Sequence, residues 1–349
     1  MKKLSFIIIL ILILTLAVLC FSACIETPDN KPDDTDPDLT PNPAPTPDPK
    51  PDPKPEEEKY TKVIILSGQS NMVGFSNRNL LINKIDAGRA QKLKKGFTNI
   101  KLLGETGNGA TKYDSISMES FINVTLGGGG TMSYYEDSFG PEVGLAETLS
   151  VTFPDEDVYI IKCAFGGSSL YETWQSPSMA EHESYCYKLL TDLIDAGLKA
   201  LKDANLNPKI AAFCWMQGES DADSDAHYTK YLVNLRNFVT DLRAAYDKDS
   251  LNGKMNFIDA YIHDYFKHYA NVNKQKARFA EIGENNYLID TMKPDLVIQG
   301  INGLTAKQEP SVGMGETIDP LHYDSTSMLM LGNMYADQIC KILKHNGAN

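Results

Sequence analysis

The chain has 349 residues and a formal net charge of −13, but that charge is unevenly spread. Residues 25–58 hold eleven acidic residues against three lysines, Lys2 and Lys3 add two positive charges, and −7 remains on residues 59–349. A mildly acidic body lacks the basic surface that neutralises phosphates, which excludes nucleic acid as a partner. Roughly 290 residues are enough for one large α/β core, and no internal repeat or second linker divides them.

Lys2 and Lys3 precede an almost wholly apolar run over 6–19, which closes on Phe21-Ser22-Ala23-Cys24. A charged start, a short apolar stretch and a small-residue exit form the layout of a secretory signal. The run falls short of the ~20 residues a membrane span needs. Ser22-Ala23-Cys24 resembles a bacterial lipobox, which implies lipidation of Cys24 and attachment to the membrane at the cell surface. Ordinary secretion and an uncleaved anchor are the alternatives. Residues 25–58 follow with 11 of the 18 prolines, among them Pro-Asp-Pro-Lys repeats. Such a segment has too little apolar surface to offset the entropy of ordering. At ~3.1 Å per residue it forms an extended, polyproline-like linker of up to roughly 100 Å. The expected organisation is a signal over 1–24, a linker over 25–58 and a folded domain over 59–349.

In the folded part, Val63-Ile64-Ile65-Leu66 is a short apolar run ending in Ser-Gly. That pattern suits a strand buried on both faces of a parallel sheet. Residues 104–137, with glycines at 127–130, read as a polar excursion from the core, either lining a cleft or lying on the surface. Further strands are expected over 158–164, 210–216 and 255–260. Helical spacing marks 185–201, 231–242 and 328–343, the last after a cap at Ser325. Strands alternating with helices predict a parallel sheet covered on both faces. In such sheets ligands bind beyond the carboxyl ends of the strands. Of the six cysteines, Cys20 and Cys24 belong to the export segment. Cys163, Cys186, Cys214 and Cys340 lie on strand-like or helical patterns, as free buried thiols or with one disulfide formed after export. No cysteine or histidine spacing suggests a metal site, and no cofactor is expected.

The first three strands end in polar strings: Gly68-Gln69-Ser70-Asn71-Met72, Gly166-Gly167-Ser168-Ser169 and Gln217-Gly218-Glu219-Ser220-Asp221. Asp319-Pro320-Leu321-His322 precedes the last helix. Acyl transfer needs a hydroxyl nucleophile, a base, a group that orients the base, and donors for the tetrahedral oxyanion. Ser70, His322 and Asp319 are candidates for the first three. The Ser70 and Gly167 backbone N–H groups and the Gln217 side-chain amide are candidate donors. His182, His227, His263, His268 and His345 sit in no comparable string. Tyr134, Tyr135, Tyr171 and Trp174 have the chemistry to stack on sugar rings, or to serve as core and rim aromatics.

These strings resemble the four sequence blocks of SGNH hydrolases, most closely the branch of sialate O-acetylesterases and family-6 carbohydrate esterases (acetylxylan esterase-like). Phe139-Gly140-Pro141-Glu142 also resembles a Gly-Pro-Glu segment of that branch. The likeness covers residues 61–343. It implies a three-layer α/β/α flavodoxin-like fold with a central parallel sheet, and ester hydrolysis without a metal. It makes Ser70, Asp319 and His322 the catalytic triad, with Ser70, Gly167 and Gln217 as the oxyanion hole. Gln69, Asn71 and Glu219 become supporting residues. The substrate it implies is an acetylated carbohydrate, such as xylan or an O-acetylated sialic acid. A non-catalytic carbohydrate-binding surface lipoprotein on the same fold is the alternative. A lipase or thioesterase would require a long apolar acyl channel, and no apolar loop of that length is present.

Overall fold

The structure is a computed structural model that describes residues 59–109, 115–127, 135–180, 184–292, 297–298, 301–302, 309–310, 312 and 319–345. The export segment with Cys24, the linker, Gly128 to Gly130, Tyr134 and His182 lie outside the described residues. In chain order the elements begin β1 (Thr61–Gly68), α1 (Ser70–Val73), β2 (Ser76–Asn77), α2 (Arg78–Lys84) and α3 (Ala87–Lys95). Next come β3 (Phe97–Asn108), β4 (Ser115–Ser117), β5 (Ile122–Val124), β6 (Ser138–Phe139), α4 (Glu142–Thr152) and β7 (Val158–Gly166). Then follow α5 (Tyr185–Asp203), β8 (Pro208–Met216), α6 (Glu219–Ala222) and α7 (Tyr231–Tyr246). The chain closes with β9 (Phe257–Ala260), α8 (Tyr269–Glu281), β10 (Asn286–Ile289), β11 (Val297–Ile298), β12 (Ile301–Asn302) and α9 (Ser325–His345).

The central sheet runs β10-β9-β8-β1-β7-β3-β4, with β5 also paired to β3. Its strands are parallel from β10 to β3, and only β4 and β5 pair antiparallel. β1 lies in the middle, between β7 and β8, and Val63 to Leu66 are fully enclosed. Successive side chains of a strand point to opposite faces, and β7 shows what covers each. Ile161 meets Gly197 of α5 on one face. Lys162 reaches Glu142 at the start of α4 on the other. The α4 layer is completed by α9, which crosses it at two glycines. A Cβ on Gly144 would collide with the Leu329 carbonyl, and one on Gly332 with the Pro141 carbonyl. This is the three-layer α/β/α arrangement expected from the sequence.

Three local readings are corrected. The supposed excursion over 104–137 begins inside a strand. β3 extends to Asn108, and its interspersed Thr98, Asn99 and Lys101 hide the apolar pattern. The fourth strand starts at Phe257 rather than Met255. The cap of α9 is Asp324, whose Oδ1 accepts from Ser327 N at 2.7 Å; Ser325 is already the first helical residue. The described cysteines are all free; Cys163, Cys186 and Cys214 are buried, whereas Cys340 is only half-buried.

The Lys162–Glu142 pair is wholly enclosed, at 2.6 Å with neither side chain exposed. Burial pushes the Lys162 ammonium down from its ordinary value, and Glu142 pulls it back. A second hydrogen serves the backbone, with Nζ donating to Val73 O at 2.9 Å. Glu142 in turn accepts from Gly140 N at 2.9 Å. The pair thus fastens the end of α1 to the sheet.

Two outcomes follow for urea unfolding. Gly144→Ala should lower stability by ~1–3 kcal/mol, the cost of overpacking a rigid backbone contact. Lys162→Met should cost ~3–5 kcal/mol by stranding Glu142, while Lys162→Met with Glu142→Leu should recover most of that loss. An unchanged midpoint in Gly144→Ala, or a double variant no better than the single one, would contradict these packing assignments.

Candidate active site

The end of β1 fixes the first part of the site. At Gly68 the chain takes φ +144°, and a Cβ there would strike the Met216 carbonyl at the end of β8. Only glycine accommodates both demands. Gln69 then donates its N–H to Met216 O at 2.8 Å and turns its side chain over the end of β8. Its Oε1 accepts from Gln217 Nε2 at 3.1 Å, Gly218 N at 3.3 Å and Ser220 N at 3.1 Å. The residue that precedes Ser70 therefore gathers the backbone donors at the start of α6.

Ser70 opens α1 and is 9% exposed. Its N–H has no acceptor among the described residues, as the first position of a helix allows. Asn71 is fully buried and spends its whole amide on two other loops. Nδ2 donates to Glu219 Oε1 at 2.8 Å and to Leu321 O at 3.4 Å, and Oδ1 accepts from Tyr323 N at 3.1 Å. Ser76 Oγ adds a bond to Tyr323 O at 2.8 Å. The loop bearing His322 is thereby docked against the segment bearing Ser70, although they are some 250 positions apart.

In that loop Asp319 is enclosed and acts as a three-way acceptor. Its Oδ2 lies 2.6 Å from His322 Nδ1, and its Oδ1 accepts from Leu321 N at 2.7 Å and His322 N at 3.3 Å. An ionised carboxylate only accepts, so Nδ1 is the donor of this pair, and Nε2 has no partner among the described residues. The ring is 14% exposed, enough for contact with a ligand. Its face stacks on Phe75, with centroids 4.7 Å apart and an interplanar angle of 18°.

The loop after β7 supplies Gly167, which is exposed at φ +68° with open space where a Cβ would be. Its N–H has no acceptor among the described residues. Asp221 holds this loop by accepting from Leu170 N at 2.8 Å and Tyr171 N at 3.1 Å. Burial pushes the Asp221 carboxyl up, against the pull of these donors and of Gln217.

Gln217 departs from the expected free oxyanion donor. Its Nε2 lies 2.6 Å from Asp221 Oδ2, 3.1 Å from Gln69 Oε1 and 3.2 Å from Ser168 O. Two amide hydrogens facing three acceptors inside the protein leave none for a ligand. Gln217 is a bracket that joins the ends of β1, β7 and β8.

The aromatic candidates also divide. Trp174 is fully buried, edge-on to Trp215 at 5.3 Å, with Nε1 donating to Ser168 Oγ at 2.7 Å. It is core, not a sugar platform. Tyr171 is half-buried and stacks on His227 at 4.3 Å, and Tyr135 meets the edge of Phe75 at 5.7 Å.

His263 is a participant that the sequence reading passed over. It is buried, and its Nε2 lies 2.9 Å from Leu321 O, the same carbonyl that Asn71 holds. Tyr265 N lies 3.4 Å from Nδ1, which fits an imidazole protonated on Nε2. Its signal was its place just beyond β9, the fourth strand end of the sheet.

Comparison with known proteins bears on this geometry. No curated protein sequence matches the chain. Among solved structures, NanS superposes with a TM-score of 0.57 at 16% identity, over 82% of this chain and 98% of NanS. A protein from Arabidopsis thaliana superposes with a TM-score of 0.54 at 18% identity, over 81% of this chain and 99% of that one. At such identities the likeness is one of fold. A family model described as carbohydrate esterase, sialic acid-specific acetylesterase matches residues 60–341, nearly the whole folded part. The chain belongs to this carbohydrate esterase family and is a carboxylic ester hydrolase.

Proposed function

We propose that the protein is a serine esterase that removes O-acetyl groups from carbohydrate through an acetyl-enzyme on Ser70. The observation that carries this reading is the Asp319–His322 contact of 2.6 Å, docked by Asn71 onto the helix that Ser70 begins. His322 Nε2 takes the Ser70 hydroxyl proton as Oγ attacks the acetyl carbonyl. The developing oxyanion is met by the Ser70 and Gly167 N–H groups, whose donors are uncommitted among the described residues. The imidazolium then protonates the departing sugar oxygen. Water, deprotonated by His322 in turn, releases acetate and restores the serine.

Asp319 keeps the proton on Nδ1 and faces the imidazolium when it forms. Gln69, Gln217, Glu219 and Asp221 act on positions rather than on the ester, by fixing the three strand-end loops relative to one another. The family description supports O-acetylated sialic acid as the first substrate to test, with acetylated xylan as the comparison. The pattern over 1–24 supports export and a lipid anchor on Cys24, so that the domain would act on glycans outside the cell.

Acetate release from both substrates, measured for the full chain, tests the proposal. Ser70→Ala and His322→Ala should each lower kcat by on the order of 10⁶ with folding intact. Asp319→Asn should lower it by about 10⁴, because an amide favours the wrong imidazole tautomer. A fluorophosphonate should label Ser70 in the parent and not in Ser70→Ala. Parental acetate release by Ser70→Ala would refute the mechanism; an unlabelled, inactive parent would favour a binding module.

A further inference from the structure

Phe75 stands between the two halves of the site. Its backbone carbonyl accepts from Val312 N at 3.1 Å, and the next residue, Ser76, holds Tyr323 O. The residue is 4% exposed, and its ring lies nearly parallel to the His322 imidazole and meets Tyr135 edge-on at 5.7 Å. One imidazole edge is fixed by Asp319 and one face by Phe75. The plane of the ring is therefore held from one edge and one face. Among the described residues, the titratable groups facing this region are Asp319, Tyr323 and Asp324 on its own loop, Tyr135 on the edge of Phe75, and Glu219 and His263 on the far side of Asn71 and Leu321.

An aromatic face carries partial negative charge, and a cation held over it is attracted, more strongly where water is excluded. Neutral imidazole gains mainly dispersion from the stack; imidazolium gains the electrostatic attraction as well. The Phe75 face is thus better matched to His322 after it has accepted a proton than before. An interaction stronger in the transition state than in the ground state raises kcat.

We propose that Phe75 is a positioning residue for the base: it holds the plane of the His322 ring and stabilises the imidazolium formed while the Ser70 proton resides on Nε2. The proposal rests on the acetyl-enzyme reading given above. The proton comes from Ser70 Oγ as the Oγ–carbon bond forms, and it leaves on the sugar oxygen as the ester bond breaks.

Site-specific replacement of Phe75 by 4-fluoro-, 3,5-difluoro- and 3,4,5-trifluorophenylalanine in the full chain tests it. The ring keeps nearly its size while its face becomes progressively less negative. Across the series kcat for an acetyl ester should fall stepwise, by about tenfold in total, with KM unchanged. The acidic limb of the kcat/KM profile should move stepwise to lower pH, since the protonated base loses a favourable contact. Phe75→Leu should lose more activity than any fluorinated ring. A flat series in both kcat and the acidic limb would overturn the proposal, as would Phe75→Leu with parental kcat and pH profile. His322→Ala separates the two levels. If it stays active, the esterase mechanism itself fails; if it is inactive while the series is flat, only the role of Phe75 fails.

Discussion

The amide of Asn71 is the point on which the site depends. It is fully buried, and it touches the loop after β8 through Glu219 and the C-terminal loop through Leu321 and Tyr323. An amide is suited to this place because it donates and accepts from one rigid plane. A carboxylate there would face the Leu321 carbonyl and Glu219 with like polarity. A hydroxyl would be too short to span the loops. Without the amide, Glu219 would lose the donor that satisfies Oε1, deep in the interior, and an unpaired buried carboxylate is costly. The packing of Ser70 against the His322 loop is thus written into one side chain next to the serine itself.

Behind this amide lies a pair of enclosed cations. Lys162 sits under α1, as described. Lys276 of α8 lies 2.5 Å from Asp259 of β9 and 5.3 Å above the Tyr231 ring. Tyr231 in turn donates to Gln217 O at 3.0 Å. Burial pushes the Asp259 carboxyl up to about 6 despite the ammonium beside it. Such pairs add little net stability over apolar residues of the same shape, because both charges must be desolvated. What they add is direction. Lys162 aims hydrogens at the Val73 carbonyl and the Glu142 carboxylate, and Lys276 aims one at Asp259, which a leucine cannot do. The polar interior beneath the strand ends and the apolar interior elsewhere divide the labour between holding geometry and holding the fold.

The legible parts of the molecule were those in which local chemistry and position coincide. Buried parallel strands are continuous apolar runs, so β1, β7 and β8 were visible together with the polar strings that end them. β3 was not, because at its start exposed Thr98 and half-buried Asn99 and Lys101 break the run. Asp319 and His322 were visible as a pair because a carboxylate and an imidazole three positions apart share one loop. Gln217 was correctly placed at a strand end, but its orientation depends on Asp221 and Gln69, and no one-dimensional pattern encodes where a side-chain amide points. Trp174 illustrates the converse. Its large ring beside a candidate loop invited a surface role, yet Trp215, Phe165 and Phe238 enclose it.

The proposed base is the member of the candidate site with the least support from the sheet. Ser70 and Gly167 each follow directly from a central strand, whereas His322 is carried by a loop before the last helix. Ordering such a loop costs conformational entropy at every residue, and among its described residues the ties are concentrated from Asp319 to Asp324. Leu321 is held through its carbonyl by Asn71 and His263, and Tyr323 through its N–H and carbonyl by Asn71 and Ser76. Asp324 caps α9, and Glu309 accepts from Ser325 N at 2.8 Å. His322 itself receives Asp319 on one edge and Phe75 on one face. The ties come from the β1 and β9 ends and from the start of α9, three elements that do not move independently in a packed core. The loop thus borrows the rigidity of the sheet without belonging to it, while the His322 side chain keeps 14% of its surface exposed.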